Sequence, residues 1–286
     1  MRSFLPAFDL RAAPTLNDAL SLLASEPGAW RPFAGGTDLM VLLEAGKLPE
    51  GRYLGLWTIS ELRGIHDGED DVVLGAMTTY TDVLRSPTIA REFPLIGRAA
   101  AETGGVATQN RGTLGGNIAN ASPAADTPPA LLVYDAVLEL QSIRGLRRVP
   151  YDRFHLGYKK MDLAPDEIIT GIRLPRRPAR SLQYYRKVGT RRAQAISKVC
   201  LAVTAKEDPA GHVTGVRIAL GSVAPTVARC RNAEAALEGR LLDRTSIMQA
   251  QDALRQDIAP IDDLRSTARY RERVAMALLA DVRGSE

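Results

Sequence analysis

Two glycine clusters constrain this chain more than any other feature of its 286 residues. The first, Gly35-Gly36, ends a strand-like stretch at residues 29–34 and opens a helix-like stretch at 38–45. Without a Cβ, such a turn lets another group approach the backbone and offers amides to an anion. Thr37 and Asp38 can cap the helix as well as touch a ligand. A tight turn with ordinary capping explains a lone Gly-Gly pair equally well. No Gly-Lys-Thr or Gly-Lys-Ser follows, so this is not a Walker A loop, nor is it a G-x-G-x-x-G fingerprint. The second cluster lies in residues 110–126, which hold three glycines, three asparagines and two hydroxyl side chains. A purely structural loop has little need of so many small polar groups. Two such loops in one chain point to a single extended, phosphate-bearing cofactor gripped from both sides.

The surrounding pattern alternates. A helix is expected at residues 15–25, capped by Thr15 with Leu16, Ala19, Leu20 and Leu23 at helical spacing. Strands are expected at 52–56, 72–76, 136–142, 147–150 and 167–174, with helices at 79–84, 95–103 and 130–134, and a glycine-rich loop over 104–116. Proline and arginine accumulate at 175–179, a candidate boundary. Beyond it, strands at 183–188, 197–208 and 212–223 precede helices at 228–237, 245–255 and 267–282. Strands followed by helices make an α+β unit.

Composition narrows the chemistry. Hydrophobic residues at 45% and charged residues at 24% are those of an ordinary folded domain, not of a disordered or membrane-spanning chain. The net charge of +4 is spread through basic stretches at 144–153, 173–180 and 186–198, which have few aromatics for base stacking. It suits an anionic cofactor or an acidic partner. Cys200 and Cys230, 30 residues apart, and the scattered His66, His155 and His212 build no metal or iron–sulfur site. Redox chemistry here would need a borrowed cofactor. The first nine residues lack the apolar stretch of a secretory signal, which leaves the cytoplasm as the expected location.

In combination, Ala34-Gly35-Gly36-Thr37-Asp38-Leu39 and Thr113-Leu114-Gly115-Gly116-Asn117 resemble the paired FAD motif of the molybdenum hydroxylase flavin subunits. These are the medium chains of xanthine dehydrogenase, carbon monoxide dehydrogenase and their relatives. Ala121-Ser122-Pro123 with Asp126, Asp166-Glu167-Ile168-Ile169 and residues 187–198 fit the same pattern, so the resemblance spans essentially the whole chain. It implies an α+β fold. A two-lobed FAD-binding domain of the vanillyl-alcohol-oxidase (PCMH) type would occupy residues 1–176, with lobes of about 1–57 and 58–176. A C-terminal antiparallel sheet with a helical bundle would occupy 177–286.

The same resemblance implies non-covalent FAD and a set of contacts. Phe33, Ala34, Gly35, Gly36, Thr37, Asp38 and Leu39 would hold the diphosphate, while Thr113, Leu114, Gly115, Gly116 and Asn117 would face diphosphate and flavin. Ser122 belongs to the set; Asp126 would sit on the ribityl or adenosine side, Ile169 would pack on the cofactor, and Lys187 would bring a positive charge close. Taken as residues alone, Asp126 fits a helix cap, Ile169 core and Lys187 solvated surface equally well. Two positions depart from the family pattern: Gln109 stands where an arginine is common, and Thr103 where some relatives carry an aromatic. Both bear on flavin potential and the acceptor site.

The implied function is an electron-transfer subunit. It would carry electrons from the 2Fe–2S clusters of a small subunit through FAD to NAD+, a quinone or oxygen. Hydroxylation, of an N-heterocycle on the xanthine dehydrogenase-like pattern, would occur on a molybdopterin large subunit, the whole assembling as a dimer of heterotrimers. No catalytic residue or metal ligand is expected in this chain. The alternative is a stand-alone FAD-dependent oxidoreductase of the same cofactor fold.

Overall fold

A computed structural model describes residues 8–177, 181–191 and 194–282. The chain opens as a small parallel sheet in which β1 (Phe8–Ala12) and β2 (Trp30–Phe33) flank β3 (Gly51–Gly55). Helix α1 (Leu16–Ser25) joins β1 to β2, and α2 (Leu39–Glu44) joins β2 to β3. Thr15 caps α1 by accepting from the Asp18 amide, and Ala19, Leu20 and Leu23 form its buried face. Each of those leucines stabilises the lobe by roughly 2 kcal/mol.

The second lobe is built on a five-stranded sheet. Strands β4 (Ile65–Asp67) and β5 (Asp71–Gly75) come first. A run of short helices follows: α3 (Tyr80–Arg85), α4 (Pro87–Glu92), α5 (Pro94–Glu102), α6 (Val106–Gln109), α7 (Leu114–Ala119) and α8 (Thr127–Val133). Then come β6 (Val137–Ser142), β7 (Gly145–Pro150), a small hairpin of β8 (His155–Gly157) and β9 (Lys160–Met161), and β10 (Ile168–Pro175). The sheet order is β4-β5-β10-β6-β7, entirely antiparallel. In β6 burial alternates with a period of two, as expected of a strand with one face on a core. The β10–β6 register shifts between Ile169 and Gly171, a bulge at the edge of the site described below.

The C-terminal unit pairs β11 (Leu182–Val188), β12 (Val199–Glu207), β13 (His212–Gly221) and β14 (Ala228–Arg229) in that order. Helix α9 (Arg231–Leu237), the short β15 (Arg240–Leu241) on β13, α10 (Arg244–Leu254) and α11 (Ala268–Asp281) complete it. β12 is buried along seven successive residues because α8 covers one face and α11 packs on it as well. The largest core cluster joins the second lobe to Tyr185, Cys200, Ala202, Ala219 and Val227 of the C-terminal unit. Cys200 and Cys230 are free and completely buried. No helix among the described residues is long and apolar enough to cross a membrane.

Three expectations change. Residues 104–116 are not a continuous loop: α6 and the start of α7 lie within them, because Thr113 accepts from the Gly116 amide and turns the chain into a helix. The expected helix at 228–237 begins three residues late, Ala228 and Arg229 being held as a strand by Leu220 and Ala219 of β13. Neither Thr37 nor Asp38 caps α2; Asp38 stands at the N-cap with helical backbone and makes no capping bond. Of the candidate boundary at 175–179, residues 178 and 179 lie outside the described residues, as do Arg180 and, in the third basic stretch, 192 and 193.

Candidate cofactor-binding site

The two glycine loops meet. A Cβ on Gly35 would stand 1.8 Å from the carbonyl oxygen of Arg111, and one on Gly115 would stand 2.7 Å from that of Ala76. These glycines therefore allow backbone to pack on backbone. The space a Cβ would take at either position is filled by protein backbone, while both residues also line the cavity described next. Gly36 is different: its backbone is left-handed, with φ 78°, and its missing Cβ makes room for the ring of Phe33.

Between the first two lobes lies a cavity of about 380 Å³, within the range of small-molecule sites. One wall is the segment from Ala34 to Leu39. Among the described residues, none accepts a hydrogen bond from the amides of residues 34–39. Thr113, Gly115, Gly116 and Asn117 also line it, but their loop is used otherwise. The amides of Leu114, Gly115, Gly116 and Asn117 donate to Thr78 O (3.0 Å), Ala76 O (2.8 Å), Thr113 Oγ1 (3.1 Å) and Thr113 O (2.9 Å). Only the first loop is thus a set of uncommitted donors, the arrangement that binds oxyanions. The floor is apolar: Met77, Ile168 and Ile169, the last beside the β10 bulge, with the buried Tyr80. Burial pushes the Tyr80 phenol well up, so it stays neutral and can donate.

Eleven of the sixteen residues expected at the site line this cavity: 34–39, Thr113, Gly115, Gly116, Asn117 and Ile169. Five do not. Phe33 packs under Gly36, Leu114 is core, and Ser122 accepts from the Ala124 amide at 3.3 Å in its own turn. Asp126 and Lys187 lie behind the wall as a buried ion pair, 2.7 Å apart, with the ammonium also donating to Glu102 O at 2.9 Å. Asp126 makes no cap bond to α8, and Lys187 is not solvated, its side chain being 5% exposed. Burial raises the Asp126 carboxyl to about 6 against the pull of Lys187, and its Oδ1 has no hydrogen-bond partner. Gln109 donates to Ala101 O and Thr103 to Ala99 O; neither reaches the cavity. A nearby positive charge is instead Arg111, stacked 3.7 Å over Trp57.

Sequence reasoning missed Tyr80, Gly112, Asn120, Lys159 and Glu167 on the wall. Gly112 was visible in the second cluster, since its absent Cβ admits the Tyr80 ring. Asn120 lay in that cluster as well and Glu167 in the 166–169 motif, whereas Tyr80 and Lys159 carried no local signal. Glu167 is held ionised below the usual range by hydrogen bonds from Arg147. Lys159 donates to the side chain of Asn120 at 2.7 Å and to its carbonyl, and burial lowers its pKa. No histidine or cysteine is among the lining residues.

A cleft between two lobes with uncommitted amides and apolar lining suits a ligand that is anionic in one part and apolar in another. The comparisons sharpen this: residues 6–177 match the FAD binding domain in molybdopterin dehydrogenase, and residues 183–283 match the CO dehydrogenase flavoprotein C-terminal domain. The chain belongs to this family of FAD-binding dehydrogenase subunits. It is 34% identical over 261 residues to the xanthine dehydrogenase FAD-binding subunit of Escherichia coli O157:H7, covering 91% of this chain and 89% of that one. A carbon monoxide dehydrogenase structure from Hydrogenophaga pseudoflava superposes with a TM-score of 0.92 at 31% identity, covering 97% of this chain and 96% of its own. Quinoline 2-oxidoreductase from Pseudomonas putida 86 follows at 0.89 and 27%, covering 98% and 96%.

Proposed function

We propose that this chain relays electrons from 2Fe–2S clusters on a small partner subunit, through non-covalently held FAD, to NAD+ or another acceptor. A molybdopterin large subunit would complete a dimer of heterotrimers, with an N-heterocycle as the organic substrate. One observation carries the FAD site: the unpaired amides of residues 34–39 line a cleft that Met77, Ile168 and Ile169 also line. The diphosphate would take those donors and the ring system would lie toward Met77, Ile168 and Ile169. Flavin, when bound, exchanges electrons singly or in pairs. The chain's own residues bind and orient it and keep water from the apolar lining. The absence of histidine and cysteine from the lining supports non-covalent attachment. The names of the relatives, a xanthine dehydrogenase subunit and a quinoline oxidoreductase among them, support the N-heterocycle.

The test is copurification followed by anaerobic reduction. The tagged chain is expected to bring down a cysteine-rich small subunit and a molybdenum subunit, and substrate should bleach the flavin absorbance. Flavin that stays oxidised while clusters are reduced and acceptor turns over would refute the relay. A chain that purifies alone and turns over substrate would favour the stand-alone oxidoreductase.

A further inference from the structure

We propose that Lys159 is the cation that neutralises the diphosphate of the bound dinucleotide, and that the β8–β9 hairpin serves to present it; this rests on the FAD reading above. The hairpin is closed by the two residues Tyr158 and Lys159, with Gly157 paired to Lys160. Of the two, only Lys159 is left-handed, at φ 57°. A left-handed second turn position normally takes glycine or asparagine, which adopt it without strain. A lysine there stores backbone strain, and such strain gathers where a side chain has a task.

The task is indicated by what surrounds it. Lys159 is the only lysine or arginine on the cavity wall among the described residues. The neighbouring buried or half-buried cations are matched by acids: Arg147 by Glu167 and Asp162, Lys187 by Asp126. Lys159 has no carboxylate within ion-pair distance; its ammonium rests on the neutral Asn120. Asp38 on the same wall acts on it only at longer range. The same cavity is lined by the six amides without acceptors. Partial positive charge from those amides and the whole charge of Lys159 in one cavity suit a doubly charged anion. The bland reading is that Lys159 only caps the C-terminus of α7 through Asn120 O, a favourable place for a cation.

The full chain in its copurified complex, stripped of flavin, separates the two by equilibrium dialysis against FAD over a range of salt. Lys159→Gly removes the cation while suiting the left-handed backbone, so the flavin-free variant should melt no lower than wild type. Its FAD affinity should drop roughly 10- to 100-fold at low salt, as for loss of a charge-assisted bond. The gap should narrow toward high salt, where screening weakens the wild-type advantage. Lys159→Arg should recover most of the affinity. A Gly variant within twofold of wild type at low salt, or one weakened equally at every salt, would overturn the inference. If the wild-type complex takes up no FAD under any condition, the FAD reading itself falls and this inference with it.

Discussion

Asp126 is a carboxyl with one oxygen on Lys187 and the other on nothing. Its ordinary value of 3.8 moves up to about 6 because burial penalises the charged form more than Lys187 relieves it. The folded chain therefore holds this proton more tightly than the unfolded chain does. Its contribution to stability is complete below 3.8 and is lost as pH rises through about 6. Two pKa units correspond to roughly 3 kcal/mol. Urea unfolding of the flavin-free protein should show stability falling across that window, and Asp126→Asn should flatten the fall. Identical slopes in wild type and variant would place the titrating group elsewhere.

At the level of elements, the loop before α2 and the loop before α7 are one structure, because Gly35 touches the backbone at Arg111. Gly35→Ala should push them apart and destabilise the protein by about 1–3 kcal/mol, with flavin lost as a consequence. Gly97→Ala is the control: it meets nothing within 4 Å inside α5 and should leave the melting temperature unchanged or slightly higher. Equal melting for both variants would mean that the loops are not pressed together. This contact also shows what was legible in the sequence and what was not. The helix at α1 announced itself through Thr15 and its leucine spacing, and β6 and β12 through alternation and an apolar run. The glycine loops announced a cofactor. β1, paired with β3 across some forty residues, has only Phe8–Ala12 to show and no local pattern that names its partner. The hairpin carrying Lys159 is as short, with two-residue β9 at its far side. The roles of Asp126 and Lys187 behind the wall could not be seen because their pairing spans 61 residues and a domain boundary.

The whole molecule is tied across that boundary. Arg229 of the C-terminal unit, with a side chain 7% exposed, bonds Asp135 of the second lobe as well as its own Glu234. Thr204 donates to Val133 O, and the main apolar cluster runs from β5 through α8 into β12 and β13. Two units that share a core unfold together. Calorimetry should show one transition with matching calorimetric and van't Hoff enthalpies, and two resolved peaks would show the units to be independent. The burial of Cys200 and Cys230 has its own consequence. Low-dielectric surroundings push both thiols far up, so neither offers a thiolate. Oxidation of cysteine begins at the thiolate and needs access. Where single electrons can reach dissolved oxygen, peroxide is a by-product, and a protein with reactive cysteines would slowly record that exposure as sulfenic and sulfonic acids. This one keeps both its thiols out of reach, so its cysteines would carry no such mark.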